Sequence, residues 1–456
     1  MAKITAMEAY RYLPQTNCKD CGETTCMSFA LKLTSREMEL ARCPHLEGEK
    51  LAVLEDKTTP PVREVVIGSG DKALTVGGEE VMYRHELKFF APCKIIVDVS
   101  DTMEDGEVEK RIAFVKDFAI DRMGETLRLD GLAARCATDD PAKYAKLVEK
   151  IAKKYDGPLI LCSLNPQALE KALTIVGARK PLVYAATKDN CEKVRELARK
   201  YDAPVAVLSQ DLQEMGELTQ KLGTKKIILD PGLITAGKGL GETLNKYVML
   251  RRSAIESAKE LGYPVMCAAA AIWSGEKDEV LAGTYESIIA GLAMDRFASL
   301  IILHSTEAWS ILPLLTLRQC IYTDPRSEPE VEAKLYTVGN PDEKSPVLVT
   351  TNFSLTYFTV EGDVRRANMN AWVLVINTKG FAVDTAVATG DLSAGKIKEA
   401  LEEAKVAEKV KHKILVVPLF ASHLRGAIED ETGWEVLVGP RDSSGIQKFL
   451  QEKWPA

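Results

Sequence analysis

Between residues 94 and 304, short apolar runs recur eight times. They are Lys94–Val99, Leu127–Ala133, Pro158–Cys162, Leu182–Ala185, Pro204–Leu208, Lys226–Leu229, Pro264–Ala269 and Leu300–His304, mostly with helix-patterned stretches between them. Strand and helix patterns alternating in this way predict a TIM (β/α)8 barrel, a fold whose ligand-bearing face is the carboxyl end of its strands.

The barrel leaves segments on either side. Thr5-Ala6-Met7-Glu8 fits a capping box and opens a short helix that should stop near Pro14. A cysteine-bearing loop follows, and apolar spacing from Thr25 to Leu40 predicts a second helix with Cys26 in its first turn. The charged, proline-containing LEDKTTPPVRE reads as a linker. Beyond the barrel the chain turns polar at YTDPRSEPEVEAK, placing a boundary near Thr323. Strands at Val347–Val349, Ala371–Ile376, Lys413–Val417 and Trp434–Val438 then alternate with helical segments near Ala382–Ala388, Ser393–Lys409, Ser422–Glu431 and Ser444–Lys453, an open α/β pattern. The expected domains are 1–60, 61–323 and 324–456.

Hydrophobic content of 46% with 27% charged residues allows cores without disulfide support. The longest apolar stretches, such as Val265–Trp273, fall well short of a membrane span, and MAKITAMEAY lacks a signal-peptide apolar region, so a cytoplasmic protein is expected. A formal charge of -7, without a basic block interleaved with aromatics, argues against nucleic acid as a partner.

Four of the ten cysteines precede residue 44, in the pattern C-x2-C-x4-C-x16-C at Cys18, Cys21, Cys26 and Cys43, the last followed by Pro44. Three thiolates on one loop with a fourth arriving from beyond a helix suit a 4Fe-4S cubane, and a helix N-terminus near Cys26 favours its negative charge. A structural zinc site is the alternative, although such sites usually come as two separated hairpin pairs. Cys93, Cys136, Cys162, Cys191, Cys267 and Cys320 stand alone and are expected to be core residues.

In the barrel, Asp230-Pro231-Gly232 would set a carboxylate at a strand's carboxyl end, as ligand group or turn stabiliser. GLITAGKG at 232–239 approaches a phosphate loop but carries Gly239 where a magnesium-binding hydroxyl belongs. The five histidines lie far apart, and His304 reads as a satisfied core or face-lining residue. With no catalytic motif in view, the barrel reads as a docking scaffold. In the C-terminal domain the loops after Val349, Ile376 and Val438 form a neutral, hydroxyl-rich rim, better suited to a large ligand with many amides than to a polyanion.

TNCKDCGETTCMSFALKL near the N-terminus, with VTTNFSLTYFTVEGD and GWEVLVGPRDSSGI near the C-terminus, closely resembles the large (gamma) subunit of the corrinoid/iron-sulfur protein of the acetyl-CoA (Wood-Ljungdahl) pathway. The likeness extends over the whole chain. It implies a small cluster domain, a TIM barrel and a Rossmann-like corrinoid-binding domain, with Cys18, Cys21, Cys26 and Cys43 holding the 4Fe-4S cluster. The corrinoid-contacting positions it implies are Thr350, Thr356, Gly380, Phe381, Ala382, Val383, Thr385 and Ser443. The implied role is that of a methyl carrier rather than a stand-alone catalyst. Co(I) of a cobamide takes a methyl group from a methyl-pterin through a separate methyltransferase and delivers it to the nickel centre of acetyl-CoA synthase. A low-potential donor and the cluster resupply an electron when cobalt strays to Co(II). The partner implied is a smaller barrel subunit in a heterodimer.

The D-x-H-x-x-G sequence by which many B12 proteins ligate cobalt is absent, which matches the lack of a protein cobalt ligand in the family this chain resembles; the resemblance implies a base-off cobamide without a histidine beneath it. Lacking an axial nitrogen, Co(I) is easier to reach. The rival reading is a pterin-dependent barrel methyltransferase with an accessory cluster, which needs carboxylates or amides gathered at the strand ends.

Overall fold

A computed structural model describes residues 4–256 and 258–455. The chain divides into two compact units. One runs up to Ala119 and resumes over Arg128–Tyr322; the other joins Ile120–Leu127 to the residues from Thr323 onward. Among the described residues no helix is long and apolar enough to cross a membrane.

The first unit opens with three helices, Ala6–Tyr12, Cys26–Thr34 and Gly48–Thr58. Thr5 caps the first through the expected reciprocal bonds with Glu8. The second is shorter than its apolar spacing predicts: it ends at Thr34, and Arg36 adopts a left-handed conformation (φ 62°) that reverses the chain. The linker reading of LEDKTTPPVRE is likewise corrected in its first half. Leu54 is fully buried on the third helix, packed into a small core with Leu13, Phe29, Ala30 and Leu33.

The barrel closes from eight parallel strands in sequential order. They are β1 (Lys94–Ser100), β2 (Gly131–Arg135), β3 (Leu159–Cys162), β4 (Leu182–Ala186), β5 (Val205–Leu208), β6 (Ile227–Asp230), β7 (Val265–Ala268) and β8 (Ala298–Leu303). The run Leu127–Ala133 proves to be two elements: Glu125–Arg128 pairs with Ala119–Arg122 in a hairpin, and the barrel strand begins at Gly131. Asp130 separates them, its carboxylate taking the Ile95 N–H and the Arg318 guanidinium. An antiparallel hairpin, Val65–Ile67 with Leu74–Val76, stoppers the barrel's amino end. Val65, Ile67 and Val76 bury against interior residues such as Ile96, Ile160 and Ile228. Backbone bonds from Gly68 to Lys180 and from Arg63 to Gly262 fix the hairpin to segments that lead into strands. The carboxyl ends are therefore the open face of the barrel.

The second unit carries a five-stranded sheet: β9 (Leu335–Val338), β10 (Val347–Thr351), β11 (Ala371–Ile376), β12 (Ile414–Val417) and β13 (Glu435–Val438), in the order β9-β11-β10-β12-β13. β9 is antiparallel at one edge and the other four are parallel. The chain steps from β10 to β11 on one side and then crosses to β12 on the other. A topological switch point thus lies between β10 and β12, where ligands bind beyond the carboxyl ends of such sheets. Three readings are corrected here. The edge strand β9 and the helix Ser354–Arg366 have no counterpart among the expected elements, and the helix expected over Ser393–Lys409 breaks where Lys405 turns left-handed (φ 49°).

Candidate cluster pocket and ligand face

Cys18, Cys21, Cys26 and Cys43 line a single pocket backed by Leu13, Pro14 and Phe29. The loop before the second helix bends through left-handed Asn17, Lys19 and Gly22, which lets three cysteines turn toward one point. Cys26 is held at the helix start twice over: its N–H donates to Asn17 Oδ1 at 2.8 Å, and Thr25 caps the same turn by accepting from Ser28 N–H. Cys43 arrives from the far side after the 3-10 turn Leu40–Arg42. None of the four is in a disulfide. Burial first, opposed by a backbone bond from His45, and then the nearness of the other three sulfurs push the Cys43 thiol up.

Four thiols from one loop and one returning segment are the donor chemistry that iron-sulfur clusters use. Cys18, Asp20 and His45 bring one donor atom each to within 4.8 Å of one another at the exposed edge of the pocket. Glu23, also in the lining, is engaged with Ser28 and Lys32. Asp20 and His45 pair at 2.6 Å beside Cys18, a polar edge next to the most exposed of the four cysteines.

In the C-terminal sheet, every position expected to touch a corrinoid lies at or beyond the carboxyl end of a parallel strand. Thr350 is the last residue but one of β10 and Thr356 lies half-buried in the next helix; Gly380, Phe381, Ala382, Val383 and Thr385 follow β11; Ser443 follows β13. The Thr350 and Thr351 hydroxyls are buried without a hydrogen-bond partner. Pleating points them to opposite faces of the sheet. An orphaned hydroxyl at a ligand-binding edge is what a cobamide, with its rim of amides, would satisfy. The Ser443 hydroxyl is already spent on Asp363.

Asn352 is absent from the expected contacts, yet it builds this face. Its Oδ1 accepts from Thr378 N–H, Thr378 Oγ1 and Gly380 N–H at 2.9 to 3.0 Å, and its Nδ2 donates to Glu330. Gly380 is left-handed (φ 71°), and a Cβ there would stand 2.5 Å from that of Glu328, so the tight approach requires glycine. The sequence reading also assigned nothing to the turn after β12, which flanks the switch point and exposes Leu419 and Phe420. Apolar residues directly after a strand, in a turn open to solvent, were the signal. Among the described histidines of this unit, His423 lies exposed in that turn, and His412 precedes β12 at the opposite edge.

The barrel mouth holds a constellation that no motif announced. Asp98, almost fully buried, receives Arg135 Nε at 2.9 Å and His304 Nδ1 at 2.7 Å, with Arg111 3.5 Å away. Arg111 also donates toward His304 Nε2, so the ring carries its proton on Nδ1 and is satisfied on both sides. Asp230 is buried at the end of β6, accepting from Gly232 N–H and the Tyr184 hydroxyl, each at 2.9 Å; burial pushes it up to about 6. It is both strand-end carboxylate and turn stabiliser. Of the lone cysteines, Cys93, Cys191 and Cys267 are buried, Cys136 and Cys162 are half-buried, and Cys320 is exposed on the outward side of its helix, a correction to the core reading.

Four converging thiols ahead of a closed parallel barrel and an open parallel sheet define a multidomain α/β protein of iron-sulfur type. The family model described as "Putative Fe-S cluster" matches residues 13–45. The chain belongs to the family described as CO dehydrogenase/acetyl-CoA synthase delta subunit, whose model matches residues 64–450. Its full-length relatives carry a different subunit letter. The acetyl-CoA decarbonylase/synthase complex subunit gamma of Methanopyrus kandleri is 41% identical, covering 99% of this chain and 98% of its own length. The subunit gamma of Archaeoglobus fulgidus is 42% identical over 98% of both chains.

Proposed function

We propose that the chain is the large subunit of a corrinoid/iron-sulfur protein, a methyl carrier between a methyl-pterin methyltransferase and acetyl-CoA synthase, working in the cytoplasm with a smaller subunit. Residues 1–60 would form the cluster domain, 61–323 the barrel apart from the inserted Ile120–Leu127, and 324–456 the corrinoid domain, with which that insert groups. The observation that carries the reading is the convergence of Cys18, Cys21, Cys26 and Cys43 on one pocket. The partnerless Thr350 hydroxyl at the sheet's carboxyl edge supports the corrinoid half.

When bound, the cobamide supplies a metal that accepts and releases a methyl group, and the cluster supplies the electron that keeps that metal reactive. The four cysteines would hold the cluster as thiolates, with Asn17 and Thr25 fixing Cys26. Thr350 would offer its hydroxyl to the polar rim of the cobamide, and Asn352 fixes the 378–380 loop.

The test is anaerobic purification with the small subunit, then metal analysis and a visible spectrum under low-potential reduction. About four iron and four sulfide per chain, the content of one cubane, together with a Co(I) band are expected; zinc without cobalt would sink the proposal. The carboxylates Asp98 and Asp230 at the barrel mouth favour one alternative, a pterin-dependent barrel methyltransferase. Turnover of methyl-pterin by the chain unaided would support it.

A further inference from the structure

One stretch between barrel elements does not belong to the barrel. After the helix Asp105–Asp117 and before β2, residues Ile120–Leu127 group with the C-terminal unit. Strands Ala119–Arg122 and Glu125–Arg128 form a hairpin there, turning through Met123 (φ 50°) and Gly124 (φ 78°), both left-handed, as the twist of a two-residue hairpin turn demands. Methionine rarely adopts that conformation, and a two-stranded hairpin is marginal on its own, so the tip is held by what it lies against. One side of it is covered: Leu127 is buried and Ile120, Arg122 and Met123 are half-buried, whereas Asp121, Glu125 and Thr126 are exposed.

At the tip, Gly124 lies against Phe358. The ring meets the glycine end-on: a Cβ at Gly124 would stand 2.4 Å from Phe358 Cζ and 3.1 Å from both Cε atoms, so the ring as placed leaves room for glycine alone. Phe358 belongs to the helix Ser354–Arg366, which frames the ligand edge. The first turn of that helix carries Thr356, and its Asp363 accepts the Ser443 hydroxyl. Its inner side, through Tyr357 and Val364, covers the sheet face on which Leu348 and, by alternation, Thr350 lie.

That helix needs support from outside itself. Its sequence, SLTYFTVEGDVRR, is poor in helix formers, and no side chain caps its amino end, where the Ser354 N–H donates to the Pro329 carbonyl at 2.8 Å. Packing therefore decides where it sits. Tyr357 anchors its inner side and meets Phe358 edge-on, ring centroids 5.1 Å apart, so a displacement of Phe358 passes to the residue beside Thr356. We infer that the insert Ile120–Leu127 is a positioning element for the ligand edge of the C-terminal sheet: through Gly124 against Phe358 it sets where the helix Ser354–Arg366 holds its first turn over β10. This rests on the corrinoid reading of that edge and deepens it by naming a residue pair, remote from the expected contacts, that tunes its affinity.

The experiment is hydrogen exchange of the full chain without ligand, together with equilibrium dialysis of the same chain against cobinamide, a corrinoid that lacks the lower base. Gly124→Ala should speed exchange over residues 355–362 and raise the cobinamide Kd by about tenfold, with iron content unchanged and the urea midpoint lowered too little to account for the loss. Phe358→Ala should act in the same direction, and adding Gly124→Ala to it should cost little more, because the clash has gone. Additive effects of the two substitutions, or wild-type exchange and affinity in both single variants, would overturn the inference. So would an affinity loss that merely follows a fall in the urea midpoint, which would make the hairpin a structural brace. If the wild-type chain takes up no cobinamide, the corrinoid reading of the edge falls, and exchange over residues 355–362 still decides whether the insert sets the helix.

Discussion

Asn352 fixes the ligand edge of the C-terminal sheet through one oxygen, which accepts from Thr378 twice and from Gly380 once. Asn352→Ala would strand two buried backbone N–H groups, at about 1 to 3 kcal/mol each. Faster hydrogen exchange at Thr378 and Gly380 and weaker corrinoid binding are expected. At the other cofactor pocket, Cys21→Ala should lower iron content and impair reductive reactivation while leaving methyl transfer from already reduced cobalt largely intact; unchanged reactivation would remove the electron role given to the cluster. Asp230 makes a prediction in pH. Its folded carboxyl titrates at about 6, above the usual carboxylate range, so the folded state keeps a proton that the unfolded state loses. Stability should therefore fall between about pH 4 and 6, by roughly 3 kcal/mol at most, and stay lower above that window. Asp230→Asn should flatten the fall, measured as the urea midpoint at pH 4 and pH 7.

Among the elements, the barrel strands were legible because each is short, apolar and bounded by turn residues, and all eight lie where those runs fall. The one misreading, Leu127–Ala133, joined two strands because Leu129 is apolar and the turn at Asp130 is made by distant partners, Ile95 and Arg318. β9 and the helix Ser354–Arg366 escaped for the opposite reason: β9 is half-exposed at an edge, and the helix mixes β-branched and aromatic residues with Gly362. The cysteine pocket was visible because its spacing is local. The barrel-mouth cluster was not, since Asp98 and His304 stand 206 residues apart. The hairpin at the barrel's amino end earns an expectation of its own. Ile67→Ala would leave a void among the interior side chains and should destabilise the barrel by about 2 to 5 kcal/mol, with iron and cobalt content unchanged.

Across the whole molecule, the cluster segment has a small core, nine buried residues among those described around the three N-terminal helices. A core of that size gains a large part of its stability from a bound metal group. Stripping iron with a chelator should open residues 4–60 to protease while the barrel's circular dichroism persists. The two compact units are interleaved along the sequence. Because Ile120–Leu127 belongs with the residues from Thr323 onward, the backbone passes between units three times, before Ile120, after Leu127 and after Tyr322. Gene fusion or exchange at Thr323 alone would therefore transplant the C-terminal unit without eight of its own residues and leave those eight stranded in the donor barrel. Recombination between relatives at that joint is penalised, and the two units should be inherited as one piece.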